Sequence, residues 1–204
     1  MTHRTFYIVR HGETDWNTVG RWQGQTDIPL NDLGQSQAAA LGEYLRTTPL
    51  DRAVSSDLSR AYQTAQIATT SHRLTIEADP RWREFNAGLL EGKTWQEMNV
   101  QHPDVVAGMN ADWYGHTFPD GESRYQLQQR AAAAFTDLLN DGRGSHIAIF
   151  THGTTVRVLL AYLFPDRFTP PTSHPSIPNT SITIVQAKGD HLSLVAAPHT
   201  PHLI

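Results

Sequence analysis

The chain contains no cysteine, which excludes disulfide cross-links, thiolate metal sites and thiol catalysis, and constrains the compartment only weakly. No apolar run approaches the roughly 20 residues of a membrane-spanning helix, so no membrane partner is expected. The opening Met1-Thr2-His3-Arg4 leads into a short strand and not into a secretory apolar region, and cytoplasm is the expected compartment. A positive net charge is also missing: the formal value is −4, which argues against a general nucleic-acid binder. An anionic ligand would need positive charge gathered locally against that acidic background. There is no glycine-rich Walker loop, no internal repeat and no low-complexity segment. What is present is 204 residues, 39% hydrophobic and 18% charged, enough for a single well-buried domain with room for an insertion. Eleven histidines are many for this length. Those of the tail, His199 and His202, are expected in a solvated, poorly ordered end rather than in a metal site.

Hydrophobic patterning sets the order of elements. Residues 5–9 form a continuous apolar run, as in a strand buried on both faces. Asn31 is placed to cap a helix in which Leu41 and Leu45 share a face. Residues 52–56 read as a second strand, Asp57 as the cap of a helix burying Leu58, Ala61, Ala65 and Ala68, and Leu74, Ile76 and Ala78 as a third strand. Residues 80–125 break this rhythm with Trp82, Phe85, Trp95, Trp113, Tyr114 and Phe118, spaced by glycines and prolines, and are expected to form an insertion covering one end of the sheet. A helix over about 123–140 follows, with Leu127, Ala131, Ala134 and Leu138 inward. Next come a buried strand at 146–150, a helix from Thr154 to Leu163, a proline-rich loop at 165–178 and a hairpin of 181–187 with 191–197 turning at Lys188-Gly189-Asp190. Strands alternating with helices and then a closing hairpin predict an α/β/α sandwich around a mostly parallel sheet with an antiparallel edge.

Three polar clusters follow the C-terminal ends of predicted parallel strands: Arg10-His11-Gly12, Ser55-Ser56-Asp57 leading to Arg60, and Thr151-His152-Gly153. That edge is where ligands bind in open α/β sheets. The two later clusters also open helices, whose free N–H groups favour anions. Two arginines, two histidines and helix N-termini at one edge describe a phosphate pocket. Gly12 is expected to remove a Cβ that would block a ligand.

The same residues resemble a known family. Arg10-His11-Gly12-Glu13-Thr14 with Asn17, then Gln23-Gly24, Pro29-Leu30 and Gly34, are similar to the opening of the histidine phosphatase superfamily. The branch is that of cofactor-dependent phosphoglycerate mutases and their phosphatase relatives. Ser55-Ser56-Asp57-Leu58 with Arg60-Ala61 and Gln63-Thr64-Ala65, Arg83-Glu84 ahead of Gly88 and Glu91-Gly92, Pro119-Asp120-Gly121-Glu122-Ser123, Thr151-His152-Gly153 and Asn179-Thr180-Ser181-Ile182 continue the series in order. The resemblance implies that His11 is a nucleophile forming a phosphohistidine, which splits one displacement into two. Arg10 and Arg60 would keep it neutral and hold phosphoryl oxygens. His152 would be a further phosphate ligand, more useful when protonated. Asn17 and Gln23 would donate hydrogen bonds, with backbone N–H groups near Gly24, Gly153 and Thr154 as weaker donors. Glu84 would protonate the leaving oxygen and then activate water. No metal and no cofactor are implied, the partner is a small phosphorylated metabolite, and a homodimer is compatible with the sequence.

Alternatives stay open at this stage. Glu91 competes with Glu84 as the acid, Asn17 and Gln23 fit a reading as turn residues, and the aromatics of 82–118 fit packing better than substrate contact. Three functions compete: phosphomonoester hydrolysis, phosphoglycerate mutase activity and a non-catalytic phospholigand-binding module. The mutase pattern has an arginine where this chain has Phe85, and between 85 and 125 the only cations are Lys93 and Arg124. Both features favour the phosphatase. A binding module is disfavoured because nucleophile, arginines and acid are all retained.

Overall fold

The computed structural model describes residues 3–169, 173 and 175–203. Among them are strands β1 (His3–Arg10), β2 (Arg52–Ser55), β3 (Ile76–Ala78), β4 (His146–Thr151), β5 (Ile182–Lys188) and β6 (His191–His199). The helices are α1 (Asp15–Thr18), α2 (Asp32–Leu45), α3 (Ser59–Ala68), α4 (Trp95–Gln101), α5 (Pro103–Ala111), α6 (Arg124–Asn140) and α7 (Gly153–Leu163). The strands form one sheet in the order β3-β2-β4-β1-β5-β6. The first four are parallel, β5 runs antiparallel to β1, and β6 pairs antiparallel with β5 at the edge. The hairpin thus closes that side, with the reversed strand one place in.

Period-two alternation assigns each strand residue to a face. Phe6, Ile8, Ile147 and Ile149 meet Ala131, Phe135, Val156 and Leu159 of α6 and α7 in one core. Val9, Ala148 and Phe150 meet Leu41, Leu45, Ala65 and Ala68 of α2 and α3 on the other. With both faces covered, β1 and β4 need apolar side chains at nearly every position, which is why they read as continuous runs. The layers are α/β/α, as the pattern predicts.

Helix starts follow capping chemistry. Asn31 Oδ1 accepts from the Gly34 N–H at 2.8 Å. Thr14 with Asn17, Thr94 with Glu97 and Ser123 with Gln126 form reciprocal capping boxes. Asp57 does not cap α3, contrary to expectation: its carboxylate binds Arg83 through both oxygens at 2.7 and 2.6 Å. The Ser59 N–H is taken instead by Asp27. Between β3 and α6 the chain forms short 3-10 turns and the helices α4 and α5. Phe85, Leu90, Met98, Val106, Met109 and Phe118 pack there against Leu127 of α6 and Val158 of α7. That satellite core seats the segment over the C-terminal edge of the sheet.

The tail also differs from expectation. β6 runs to His199, and His202 Nε2 lies 2.9 Å from Thr180 Oγ1, so the end is packed against the site loop. The proline-rich stretch expected at 165–178 lies partly outside the described residues. Among the described residues no helix is long and apolar enough to cross a membrane.

Candidate active site

Arg10 pairs in register with Thr151, and Ser55 with Phe150. The chain therefore leaves β1, β2 and β4 side by side, carrying His11, Ser56 and His152 to one edge. A cavity of about 240 Å³ opens there. Arg10, His11, Asn17, Gln23, Gly24, Arg60, Glu84 and Thr154 line it, whereas His152 and Gly153 are not part of its lining.

His11 is 3% exposed, and its Nδ1 lies 2.6 Å from the Gly12 carbonyl oxygen. A carbonyl only accepts, so Nδ1 carries the proton and Nε2 presents its lone pair. Burial drives the His11 pKa well below the ordinary histidine value, and Arg60 and Arg10 push it the same way. The imidazole is held neutral and in the tautomer that leaves Nε2 nucleophilic. Asn179 Nδ2 and the Thr180 N–H both donate to the His11 carbonyl, fixing the backbone at this point.

Arg60, on the first turn of α3, is completely buried. Its Nη1 and Nη2 donate to the carbonyls of Thr26 and Gly24 at 2.8 and 2.7 Å, and its Nε donates to His152 Nδ1 at 3.2 Å. One N–H on each terminal nitrogen is left over, and Arg60 lines the cavity. Burial lowers the Arg60 pKa to about 10, against the opposing pull of Glu84, Asp27 and Glu91. It remains a cation at neutral pH. Arg10 donates from Nη1 to the Ile177 carbonyl at 2.5 Å, and its Nε is buried without a partner.

His152 stands directly beside Arg60. Its Nδ1 accepts from Arg60, so in the neutral ring Nε2 carries the hydrogen and donates to Ser56 Oγ at 2.9 Å. A proton on Nδ1 would face the Arg60 N–H. Burial and Arg60 together hold its pKa well below the ordinary value. In this arrangement His152 is a neutral post beneath Arg60, its ring centroid 5.1 Å from that of His11.

Two carboxylates competed for the acid's role. Glu84 lines the cavity, its Oε1 accepting from the Phe85 N–H at 2.8 Å and its Oε2 from the Thr154 N–H at 3.0 Å. The free N–H at the start of α7, read from the sequence as a phosphate donor, thus orients Glu84. Arg130 steadies the segment behind it, donating to the carbonyls of Arg81, Arg83 and Glu84 while paired with Glu122. Glu91 is absent from the cavity wall. Its oxygens accept from the N–H groups of Gln25, Thr26 and Ala87 and from Thr26 Oγ1, tying the 23–26 loop to the covering segment.

The smaller contributors have simple causes. Asn17 uses Oδ1 to cap α1 and to accept from Asn179, leaving its amide NH2 to donate. Gln23 is 8% exposed and its Oε1 has no partner. Gly24 has φ +52, and a Cβ there would lie 2.0 Å from Glu91 Oε1, so both conformation and space demand glycine. The reason for Gly12 is different from the one expected: its Cβ would sit 2.5 Å from the Gly34 carbonyl oxygen. It serves close packing of the site loop on α2, not the approach of a ligand.

Sequence reasoning missed part of the wall. Arg21, Trp22, Phe85, Ala87, Arg124 and Arg157 also line the cavity. Arg21 is paired with Glu97 at 2.8 Å. The Arg124 guanidinium stands over the Phe85 ring at 5.1 Å, so Phe85 does not leave this region without charge. The cations converge from α6 and α7, and a window over 85–125 cannot count Arg157. Among the described residues no group of three or more His, Asp or Glu is arranged to hold a metal ion.

The family model of the histidine phosphatase superfamily (branch 1) matches residues 6–199. The chain belongs to that family. It is 37% identical over 157 residues to the probable phosphoglycerate mutase GpmB of Yersinia pestis, covering 77% of this chain and 73% of the relative. Among solved structures it resembles Bacillus stearothermophilus YhfR, with a TM-score of 0.86 and 31% identity over 98% of both chains. A mycobacterial glucosyl-3-phosphoglycerate phosphatase matches at a TM-score of 0.81 and 28% identity, over 95% of this chain and 98% of that one. Membership sets the chain among phosphatases and mutases, and its fold is the phosphoglycerate mutase-like one. Arg10, His11, Arg60 and Glu84, which carry the resemblance in the sequence, are among the residues that line the cavity.

Proposed function

We propose that this chain is a phosphomonoester hydrolase acting through a phosphohistidine on His11 Nε2. The observation that carries the reading is the combination of a buried neutral imidazole with a bare Nε2, flanked by Arg10 and Arg60, and a single cavity-lining carboxylate, Glu84. Nε2 attacks phosphorus and the P–O bond to the leaving group breaks. Arg10, Arg60, Asn17 and Gln23 hold the equatorial oxygens, whose charge is stabilised in a water-poor site by groups already oriented. Glu84, as the acid, hands its proton to the departing alkoxide. As carboxylate it then takes a proton from water, whose oxygen attacks phosphorus, and the P–N bond breaks to release phosphate and free imidazole. The substrate is proposed to be a small phosphorylated metabolite, and no metal enters the scheme because guanidinium groups supply the positive charge.

A second reading, phosphoryl transfer to an acceptor as in a mutase, is favoured by Arg124 and Arg157 on the outer wall. The two are separated by product analysis. A phosphatase puts the label of the ester into inorganic phosphate, with none carried into added alcohol or phosphoglycerate. Label appearing in the acceptor as the main product would replace hydrolase by mutase. Activity abolished by EDTA and restored by a divalent cation would overturn the metal-free scheme.

A further inference from the structure

The tail beyond β6 carries a histidine that the hydrolysis scheme does not use. The Leu203 N–H donates to the Thr200 carbonyl at 3.1 Å, and the turn so closed places His202 against Thr180. His202 lies outside the residues 6–199 matched by the family model. Its Nε2 is 2.9 Å from Thr180 Oγ1, and its ring centroid is 6.1 Å from that of Tyr44 on α2. The Thr180 hydroxyl gives its one proton to the Asn179 carbonyl at 2.8 Å, so towards His202 it can only accept. Nε2 therefore carries the hydrogen, and Nδ1 is a buried lone pair without a partner among the described residues. Burial, and then His199, lower the His202 pKa, which keeps the ring neutral at pH 7.

What this hydrogen bond holds is a strained turn. The Ser181 N–H donates to the Pro178 carbonyl at 3.0 Å, closing a turn over Asn179 and Thr180. Thr180 occupies its third position with φ +55, a shape that favours glycine or asparagine and that a β-branched residue rarely adopts. Such a residue persists only where its surroundings over-determine it. Here they belong to the candidate active site. The Thr180 N–H and Asn179 Nδ2 both donate to the His11 carbonyl, at 3.2 and 3.1 Å. The Ser181 carbonyl accepts from the Arg10 N–H at 3.1 Å, and Asn179 Nδ2 also reaches Asn17 Oδ1 at 3.3 Å. The turn thus touches the nucleophile, an arginine and a cavity-lining amide at once. Thr180 is fully buried, and His202 grips its hydroxyl from outside the turn.

We infer that His202 is a positioning residue: by holding the Thr180 hydroxyl it keeps the 178–181 turn in the shape that fixes the His11 backbone and the Asn17 side chain. The inference rests on the phosphohistidine reading of His11. His202 does not line the cavity and acts only through the turn. Without the brace, Thr180 relaxes towards an ordinary negative φ, and its N–H turns away from the His11 carbonyl. The approach of Nε2 to phosphorus is then misaligned, while Arg10 and Arg60 still bind the phosphoryl group.

The test follows phosphorylation of the protein by ³²P-labelled p-nitrophenyl phosphate in single turnover, together with kcat and KM. His202→Phe keeps the bulk of the ring and removes the donor. It should lower the phosphorylation rate and kcat about tenfold to a hundredfold, as misplacement by about 1 Å does, with KM nearly unchanged. His202→Gln, whose amide can still donate, should restore part of the rate. Thr180→Val removes the hydroxyl and keeps the strain, so it should reproduce the loss, and adding His202→Phe should cost nothing more. In Thr180→Gly, where a positive φ carries no strain, His202→Phe should have no effect. Should His202→Phe fail to fold, the same comparison stands on Thr180 alone: the glycine variant should be faster than the valine one, and the reverse order would overturn the brace. Wild-type rates in folded His202→Phe, a rise in KM alone, glutamine no better than phenylalanine, or an undiminished His202→Phe loss in the glycine background would also overturn it. A wild-type protein that takes up no label sinks the phosphohistidine reading alone. The brace is then read from the ¹⁵N signals of the His11 imidazole, which should shift in His202→Phe and return towards wild type in His202→Gln; unmoved signals would overturn the brace as well.

Discussion

Two neutral histidines buried at the heart of the site make stability depend on pH in a definite direction. In the unfolded chain each titrates near 6.5, whereas in the fold burial and Arg60 hold both His11 and His152 well below that value. Below pH about 6.5 the unfolded state takes up protons that the folded state refuses. Their contribution is therefore fully present above the unfolded value and is lost as pH falls towards the folded ones. The limiting slope is about 1.4 kcal/mol per pH unit for each histidine, about 2.7 for the pair, against a total stability on the order of 5–15 kcal/mol. Urea unfolding followed by fluorescence at half-unit steps from pH 8 to 5 measures it. Wild type should lose stability steeply below pH 6.5, and His11→Ala and His152→Ala should each flatten the slope, whatever their absolute stabilities. Curves parallel to wild type for both variants would refute the neutral assignment. Turnover should also show no acid limb near 6.5 arising from the nucleophile.

Other outcomes follow from single contacts. Glu84→Gln should suppress phosphoenzyme formation from alkyl phosphates by about 10²–10⁴-fold and far less from p-nitrophenyl phosphate, whose leaving group needs no proton; equal losses in single-turnover experiments would make Glu84 structural. Glu91→Gln should weaken the tie between the 23–26 loop and the covering segment, lowering the thermal midpoint without that leaving-group selectivity, and selectivity there would move the acid to Glu91. Arg60→Lys should depress kcat and not merely raise KM, because an ammonium cannot replace a fork that also braces His152; a kinetically silent lysine would refute its place on the phosphoryl group. Arg130→Met should lower kcat through Glu84, with Arg130→Lys restoring part of it, whereas unchanged kcat in both would show that the 81–84 segment holds itself.

What the sequence makes legible here is whatever local physics decides. The runs 5–9 and 146–150 are apolar because helices cover both faces of their strands, and the α6 face of Leu127, Ala131, Ala134 and Leu138 follows a helical period. The cluster at the sheet edge is readable for the same reason: His11 and His152 follow directly on β1 and β4, and Arg60 lies in the first turn of the helix after β2. Contacts made across the fold were not. Asp57 is a fitting cap until Arg83 arrives from the segment after β3. Glu84 and Glu91 are both acidic residues in an irregular stretch, and only the network around Gln25 and Thr26 tells them apart. Thr94-x-x-Glu97 did carry a capping-box signal for α4 within the stretch read as irregular. Arg124 and Arg157 line one cavity because α6 and α7 pack together, which no window of neighbouring residues contains. His152 needed its hydrogen-bond partners to show that it is neutral.

The central claim is that phosphorus becomes bonded to His11. Rapid quench of the enzyme with a ³²P-labelled phosphomonoester, followed by peptide mapping, tests it most directly. The account predicts acid-labile, alkali-stable label on the peptide bearing His11, formed at a rate no slower than turnover and chased into inorganic phosphate, with none in His11→Ala. Label on another residue, or steady release of phosphate from a folded His11→Ala protein at the wild-type rate, would contradict it.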